Sequence, residues 1–252
     1  MSIFSKFFGN EEKPQPEAQN TKVQTNTAFH SLPPCSSEQE LIERYGAIAL
    51  EKQDNLGEVI GDNNWNADIP KGVISFGDNL EFPIQILGTF SHSSQTWLWA
   101  WANTQSGLPP KLIEQALALK EYGEKNNIDL LTVSQFEADN NDLHLIGAVA
   151  SGMFDASAYY IADYGQGAMV VTIKSDLVDK QKQEISHLRI PTIFSQLITQ
   201  HEVNHHNAFR CYLLAKGYTL DEQGSSKITG TKDGLTISAG FDELGRLVKI
   251  EA

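Results

Sequence analysis

The stretch from Gly88 to Pro110, GTFSHSSQTWLWAWANTQSGLPP, carries three of the four tryptophans of the chain, Trp97, Trp99 and Trp101. Their spacing is two, so on a strand all three side chains share one face. Leu98, Ala100 and Ala102 take the other face and are also apolar. A strand apolar on both sides has to be covered on both. The run therefore predicts a central strand, with a bulky core over the tryptophans and a close-packed neighbour over the alanines.

The surrounding sequence supplies its partners. Val73 to Phe76 and Glu81 to Phe90 read as strands, separated by the turn GDN at residues 77–79, and Ser91 to Ser94 connect to a strand over Thr96 to Asn103. Such short connections favour an antiparallel meander over parallel crossovers. Upstream, Ser36 or Ser37 caps a helix with Glu38 and Glu40 in its first turn. Leu41, Tyr45, Ile48 and Ala49 give it an apolar face as far as about Asp54. Trp65 sits in the turn-rich GDNNWNADIPKG and is expected to plug the core's edge.

Downstream, Pro109 and Pro110 open a helix that Asn126 or Asn127 ends. Leu130 to Val133 reads as a short extended piece. A helix follows over Leu143 to Tyr159. Its Gly147 and Gly152 suit close approach to another backbone, and the alanine face of the tryptophan strand is the expected neighbour. The GQG at residues 165–167 lacks phosphate-loop spacing and reads as a hairpin turn before a strand over Ala168 to Ile173. The longest helical pattern runs from Ile193 to Lys216 and stops at Gly217. Four short strand patterns separated by turns then end the chain.

These elements predict an α+β fold: a mainly antiparallel sheet packed by helices, with a long helix leading to a C-terminal strand meander. Residues 1–36 are rich in Glu, Gln, Asn, Thr, Pro and Ser and read as a disordered leader. Residues 37–189 form the α+β core. Residues 190–252 form the long helix and meander, packed on that core. Within the leader, Phe4, Lys6, Phe7 and Phe8 are too short a group for a signal peptide and read as a frayed terminus, with a docking peptide as the other reading.

Charge narrows the partners. The chain has 32 acidic and 19 basic residues, a net charge of -13, which argues against nucleic acid and anionic membrane surfaces. No run approaches a membrane span. Cys35, in the leader, and Cys211, in a helix, are the two cysteines, so a reducing, cytoplasmic setting is expected. Partners are then an unidentified small molecule or protein.

One motif carries chemistry. His201, Glu202 and His205 spell HEVNH, the HExxH pattern of zinc hydrolases. On one helix, histidines four apart share a face and can both reach zinc, while the glutamate activates a water. A catalytic zinc needs a third protein ligand, and Glu222 is the nearest candidate that the sequence offers. The same two histidines fall within the helix's apolar face, beside Leu197, Ile198, Ala208, Phe209 and Tyr212. They can equally be hydrogen-bonded core residues or the wall of a polar pocket. His92 among Ser91, Ser93 and Ser94, and the carboxylates Asp155, Asp163 and Glu202, offer no complete constellation, and no GxSxG elbow occurs.

The segments ISFGDNLEFPIQILGTFSHSSQTWLWAWAN, LPPKLIEQALALKEYGEKNNIDLLT, YYIADYGQGAMVVTI and IFSQLITQHEVNHHNAFRCYLLAKGY resemble a family of bacterial proteins known as a domain of unknown function. The resemblance spans roughly residues 40–216, and WLWAWAN is its most specific part. It implies a bacterial cytoplasmic protein and brings no activity, cofactor or site residue with it. The reading that follows is a non-enzymatic ligand-binding or interaction protein without a cofactor. A zinc-dependent hydrolase is the alternative, with His201, His205 and Glu222 as ligands and Glu202 as base.

Overall fold

The computed structural model describes residues 27–252. Phe4, Lys6, Phe7, Phe8 and the leader as far as residue 26 lie outside the described residues. The remainder of the expected leader has structure. Thr27–His30 form a helical turn, α1, and Cys35 is fully buried, its N–H donating to the Tyr122 hydroxyl at 2.6 Å. A polar composition concealed that one small apolar anchor.

The first long element is α2, Glu38–Ile60. The Ser37 side chain accepts from the Glu40 N–H, and Glu38 and Glu40 sit in the positive first turn. The helix continues through Val59 and Ile60 to Gly61. Next come β1 (Trp65–Asp68), β2 (Val73–Phe76), β3 (Leu80–Ser91) and β4 (Thr96–Trp99). After them lie α3 (Glu114–Asn126), the one-turn helix α4 (Asp129–Thr132), β5 (Gln135–Glu137), α5 (Asn140–Met153), β6 (Ala158–Asp163) and β7 (Gly167–Ile173).

Among the described residues these seven strands form one antiparallel sheet, and β3 is its hub. Its first residues pair with β2, from Phe76 opposite Leu80 to Val73 opposite Pro83. Its last four pair with β4, from Gly88 opposite Trp99 to Ser91 opposite Thr96. Strand β7 runs along it from Ile84 to Ser91, with a bulge between Ile86 and Gly88. The tryptophan strand therefore lies between β3 and β5.

Trp97 and Trp99 are fully buried, edge to face at 5.4 Å, and the Trp99 indole donates to the Leu130 carbonyl at 3.1 Å. The strand ends at Trp99, earlier than Asn103, because the N–H groups of Ala102 and Asn103 turn back onto the Trp99 carbonyl. Trp101 leaves the strand, stacks on Trp99 at 6.4 Å and lies under Lys120 Nζ.

Helix α5 starts at Asn140, where Asp139 and Asp142 form a capping box, and stops at Met153. Tyr159 belongs to β6, not to the helix. The glycines of α5 do not face the tryptophan strand. A side chain at Gly147 would run into the Tyr159 ring, and one at Gly152 into Tyr45 of α2. Leu130 and Leu131 close a helical turn over α3, where an extended piece was expected, and bury both leucines.

Helix α6 (Asp176–Asp179) leads to α7 (Ile190–Gln200) and α8 (His205–Ala215). Four antiparallel strands follow: β8 (Thr219–Gln223), β9 (Lys227–Lys232), β10 (Leu235–Phe241) and β11 (Leu247–Glu251). They form a simple meander in the order β11-β10-β9-β8. The fold is thus α+β, with a C-terminal strand meander.

Two apolar clusters hold it. One fills the space around the seven-stranded sheet. The other joins Phe194, Leu197, Phe209, Tyr212, Ile228 and Ile237 to Ile42, Ala47 and Ala49 of α2 and to Tyr159. Helix α2 supplies side chains to both, so it is the shared wall between sheet and meander.

Candidate functional site

The HEVNH segment lies where the expected long helix breaks. His201 is the C-terminal cap of α7, in an extended conformation (φ -135°, ψ 139°). Asn204 is the N-cap of α8, its side chain accepting from the Asn207 N–H at 2.9 Å. Buried Glu43 of α2 reinforces the break by accepting from the Asn204 N–H at 2.8 Å and the Asn207 side-chain amide at 2.5 Å. Asparagine favours this capping role over a helix interior. Asn204 thus caps a new helix instead of continuing the old one.

The break separates the motif. His205 Nδ1 accepts the Leu247 N–H at 2.9 Å, which ties α8 to β11. Glu202 is exposed, and the Glu222 carboxylate is taken by Arg210 Nε at 2.9 Å. The helical i,i+4 geometry that recommended zinc is therefore missing, and among the described residues no group of three or more His, Cys, Asp or Glu stands close enough to hold a metal ion. The carboxylates Asp155, Asp163 and Glu202 are also apart. Asp163 meets His92 Nε2 at 3.1 Å, and Asp155 faces Lys52 and Lys174.

His201 instead joins residues that sequence spacing did not connect to it. A cavity of about 390 Å³ lies between α2, α5, β6 and the end of α7. Gln53, Asn141, His144, Tyr159, Gln196, Gln200 and His201 give it polar groups, and Ile42, Gly46, Ala49, Leu50 and Ala148 give it an apolar wall. Gly46 lets α7 come close, since a Cβ there would stand 2.6 Å from Leu197 Cδ1. His205 and Tyr212 do not line this cavity. Tyr212 is buried elsewhere, its hydroxyl donating to Glu51 Oε2 at 2.5 Å.

The cavity's central contact is between His144 Nδ1 and the Tyr159 hydroxyl, 2.8 Å apart. Burial holds the His144 imidazole below its ordinary pKa and pushes the Tyr159 phenol well above its own. The phenol therefore keeps its proton and the imidazole is neutral, and one hydrogen bond joins Nδ1 to the hydroxyl, its direction set by the imidazole tautomer. Transfer of the phenol proton to the imidazole would run against both shifts, which makes the pair a fixed hydrogen bond and not a relay. The Gln53 side-chain oxygen accepts from the Tyr159 N–H at 3.2 Å. Burial, followed by the neighbouring His144, lowers the pKa of His201 as well. At neutral pH the wall thus offers amides, two neutral imidazoles and a phenol, with no carboxylate, ammonium or guanidinium among the lining residues. Such a surface binds by hydrogen bonds and apolar contact.

A family model, described as a family of unknown function (DUF6882), matches residues 39–176, more than half of the 252-residue chain. The chain belongs to this family. No curated protein and no solved structure matches the chain. The DUF6882 segment begins with α2 and ends at the start of α6, so it holds the whole seven-stranded sheet but neither α7 nor the meander. Residues 177–216, included in the resemblance read from sequence, lie beyond it. The cavity crosses this limit: His144 and Tyr159 belong to the DUF6882 segment, while Gln196, Gln200 and His201 come from outside it.

Proposed function

We propose that this protein is a binding protein for a small, uncharged polar molecule, held in the cavity between His144, Tyr159 and His201. The observation that carries the reading is the lining itself. Seven hydrogen-bonding side chains converge on about 390 Å³, and none carries a full charge at neutral pH. Cavities of this scale that combine an apolar wall with placed polar groups are a usual form of small-molecule site. An anion or cation entering here would shed water without meeting an opposite charge, whereas a neutral amide or heterocycle would meet donors and acceptors.

The reading is non-enzymatic because the one wall hydroxyl beside an imidazole, that of Tyr159 next to His144, is a phenol whose pKa burial raises, which makes it a poor nucleophile at neutral pH. A bacterial cytoplasmic setting belongs to the same proposal. The cytoplasmic part is supported by Cys35 and Cys211, both buried and unpaired, and the bacterial part rests on the family resemblance. Among the described residues no helix is long and apolar enough to cross a membrane.

The test is a thermal-shift screen of neutral amides, nucleobases and sugars against the intact chain, repeated with His201→Ala and Gln200→Ala. Saturable stabilisation by a neutral compound, weakened in both variants, is the expected result. Stabilisation confined to charged compounds, or unchanged in both variants, contradicts it.

A further inference from the structure

A second cavity, of about 420 Å³, opens on the other side of α2. Its wall includes Lys52, Lys216 and Lys232 together with Glu51 and Asp179. In a chain of net charge -13, this is an unusual concentration of ammonium groups. The two carboxylates are already engaged. Lys216 Nζ donates to both Glu51 oxygens at 2.6 Å, and Lys174 Nζ lies 3.2 Å from Asp179.

Lys52 and Lys232 are left with weak compensation. Lys52 Nζ donates to the Ala156 carbonyl at 2.6 Å and the Ser151 carbonyl at 3.2 Å, and among the described residues its one ion pair is with exposed Asp155 at 3.6 Å. Lys232 Nζ donates to the Lys216 carbonyl at 2.7 Å and makes no ion pair among the described residues. Partly buried ammonium groups whose counter-charge is absent or solvent-exposed are costly, and an anion seated between them offsets that cost. We propose that this cavity binds a small oxyanion, a phosphate or carboxylate group, between Lys52 and Lys232. The same burial lowers the pKa of Lys52 although Asp155 and Asp179 act in the other direction. A bound anion would offset that burial of the ammonium.

The site is separate from the neutral cavity beside His144, and neither depends on the other. The probe is inorganic phosphate, titrated calorimetrically into the intact chain at fixed ionic strength, with acetate as a second arm. Saturable binding of either supports the site, and the tighter of the two assigns the phosphate or the carboxylate class. Lys232→Gln is expected to weaken that binding roughly tenfold, the scale of one charge-assisted hydrogen bond. Asp179→Asn removes a negative charge from the rim and should tighten it, a gain that misfolding cannot mimic. No saturable heat from phosphate or acetate overturns the proposal. So does binding that is unchanged in both variants while their melting curves remain cooperative.

Discussion

Lys216 Nζ lies 2.6 Å from each carboxylate oxygen of Glu51, joining the end of α8 to the middle of α2. The pair is almost wholly shielded from water, with side-chain exposures of 6% and 8%. Tyr212, Ser186 and Arg189 complete the shell around the carboxylate. The family segment is thereby bonded to the chain beyond it through charge as well as through apolar contact.

Breaking this pair on one side leaves a buried charge unmatched. Lys216→Met or Glu51→Leu alone should each cost about 3–5 kcal/mol. The double variant should cost clearly less than their sum, because it leaves neither charge stranded. Urea unfolding of the four proteins measures both quantities. Additive losses would show that the two groups act independently.

Gly147→Ala tests how α5 meets β6. The added methyl would stand 2.5 Å from Tyr159 Cγ, so ring or helix must shift. Overpacking of this kind costs about 1–3 kcal/mol. The variant should also disturb the His144–Tyr159 hydrogen bond, visible as a shift of the His144 ring resonances. An unchanged melting temperature with unchanged ring resonances would contradict the packing.

Acid should weaken the fold before the carboxylates titrate. Burial holds His144, His187, His201 and His205 below the ordinary value of 6.5. On acidification the unfolded chain takes up these protons first, so the stability is present above 6.5 and is lost as pH falls below it. Asp54 is held below its ordinary 3.8, so its contribution goes only in stronger acid. Denaturation midpoints between about pH 7 and pH 5 should decline, and His144→Gln should flatten the slope. A midpoint that rises on acidification through this range would contradict the sign.

Zinc separates the two readings of HEVNH. With His201 and His205 on either side of a helix break, the parent and the His201→Ala, His205→Ala double variant should bind equal and substoichiometric zinc after incubation and washing. The double variant should be destabilised by about 1 kcal/mol through loss of the acceptor for the Leu247 N–H. One zinc per parent chain, lost in the variant, would restore the metal reading.

Much of this architecture was legible in the residues. Alternation placed Trp97 and Trp99 in a buried strand between two neighbours, Ser37 announced α2, and glycine turns at Gly234 and Gly245 divided the meander. Short strands escaped where their periodicity was brief. Tyr159 reads as the tail of a helix because the alanines before it suit either state, and Trp65 reads as a connector. The site was less legible. His201 was singled out for a partnership with His205 at helical spacing, but its neighbours in the cavity come from α2, α5 and β6, at long sequence separations. Glu43 and Glu51 carry no sequence signal of burial, which depends on groups that arrive from α8 and the break before it.

The most direct test of the neutral cavity follows the imidazoles themselves. With ring-labelled histidine, a neutral compound found by the thermal-shift screen is titrated into the intact chain. The His144 and His201 resonances should shift together and saturate, while those of His30 and His92, which do not line the cavity, should stay in place. Saturable binding that leaves His144 and His201 unmoved would contradict the account.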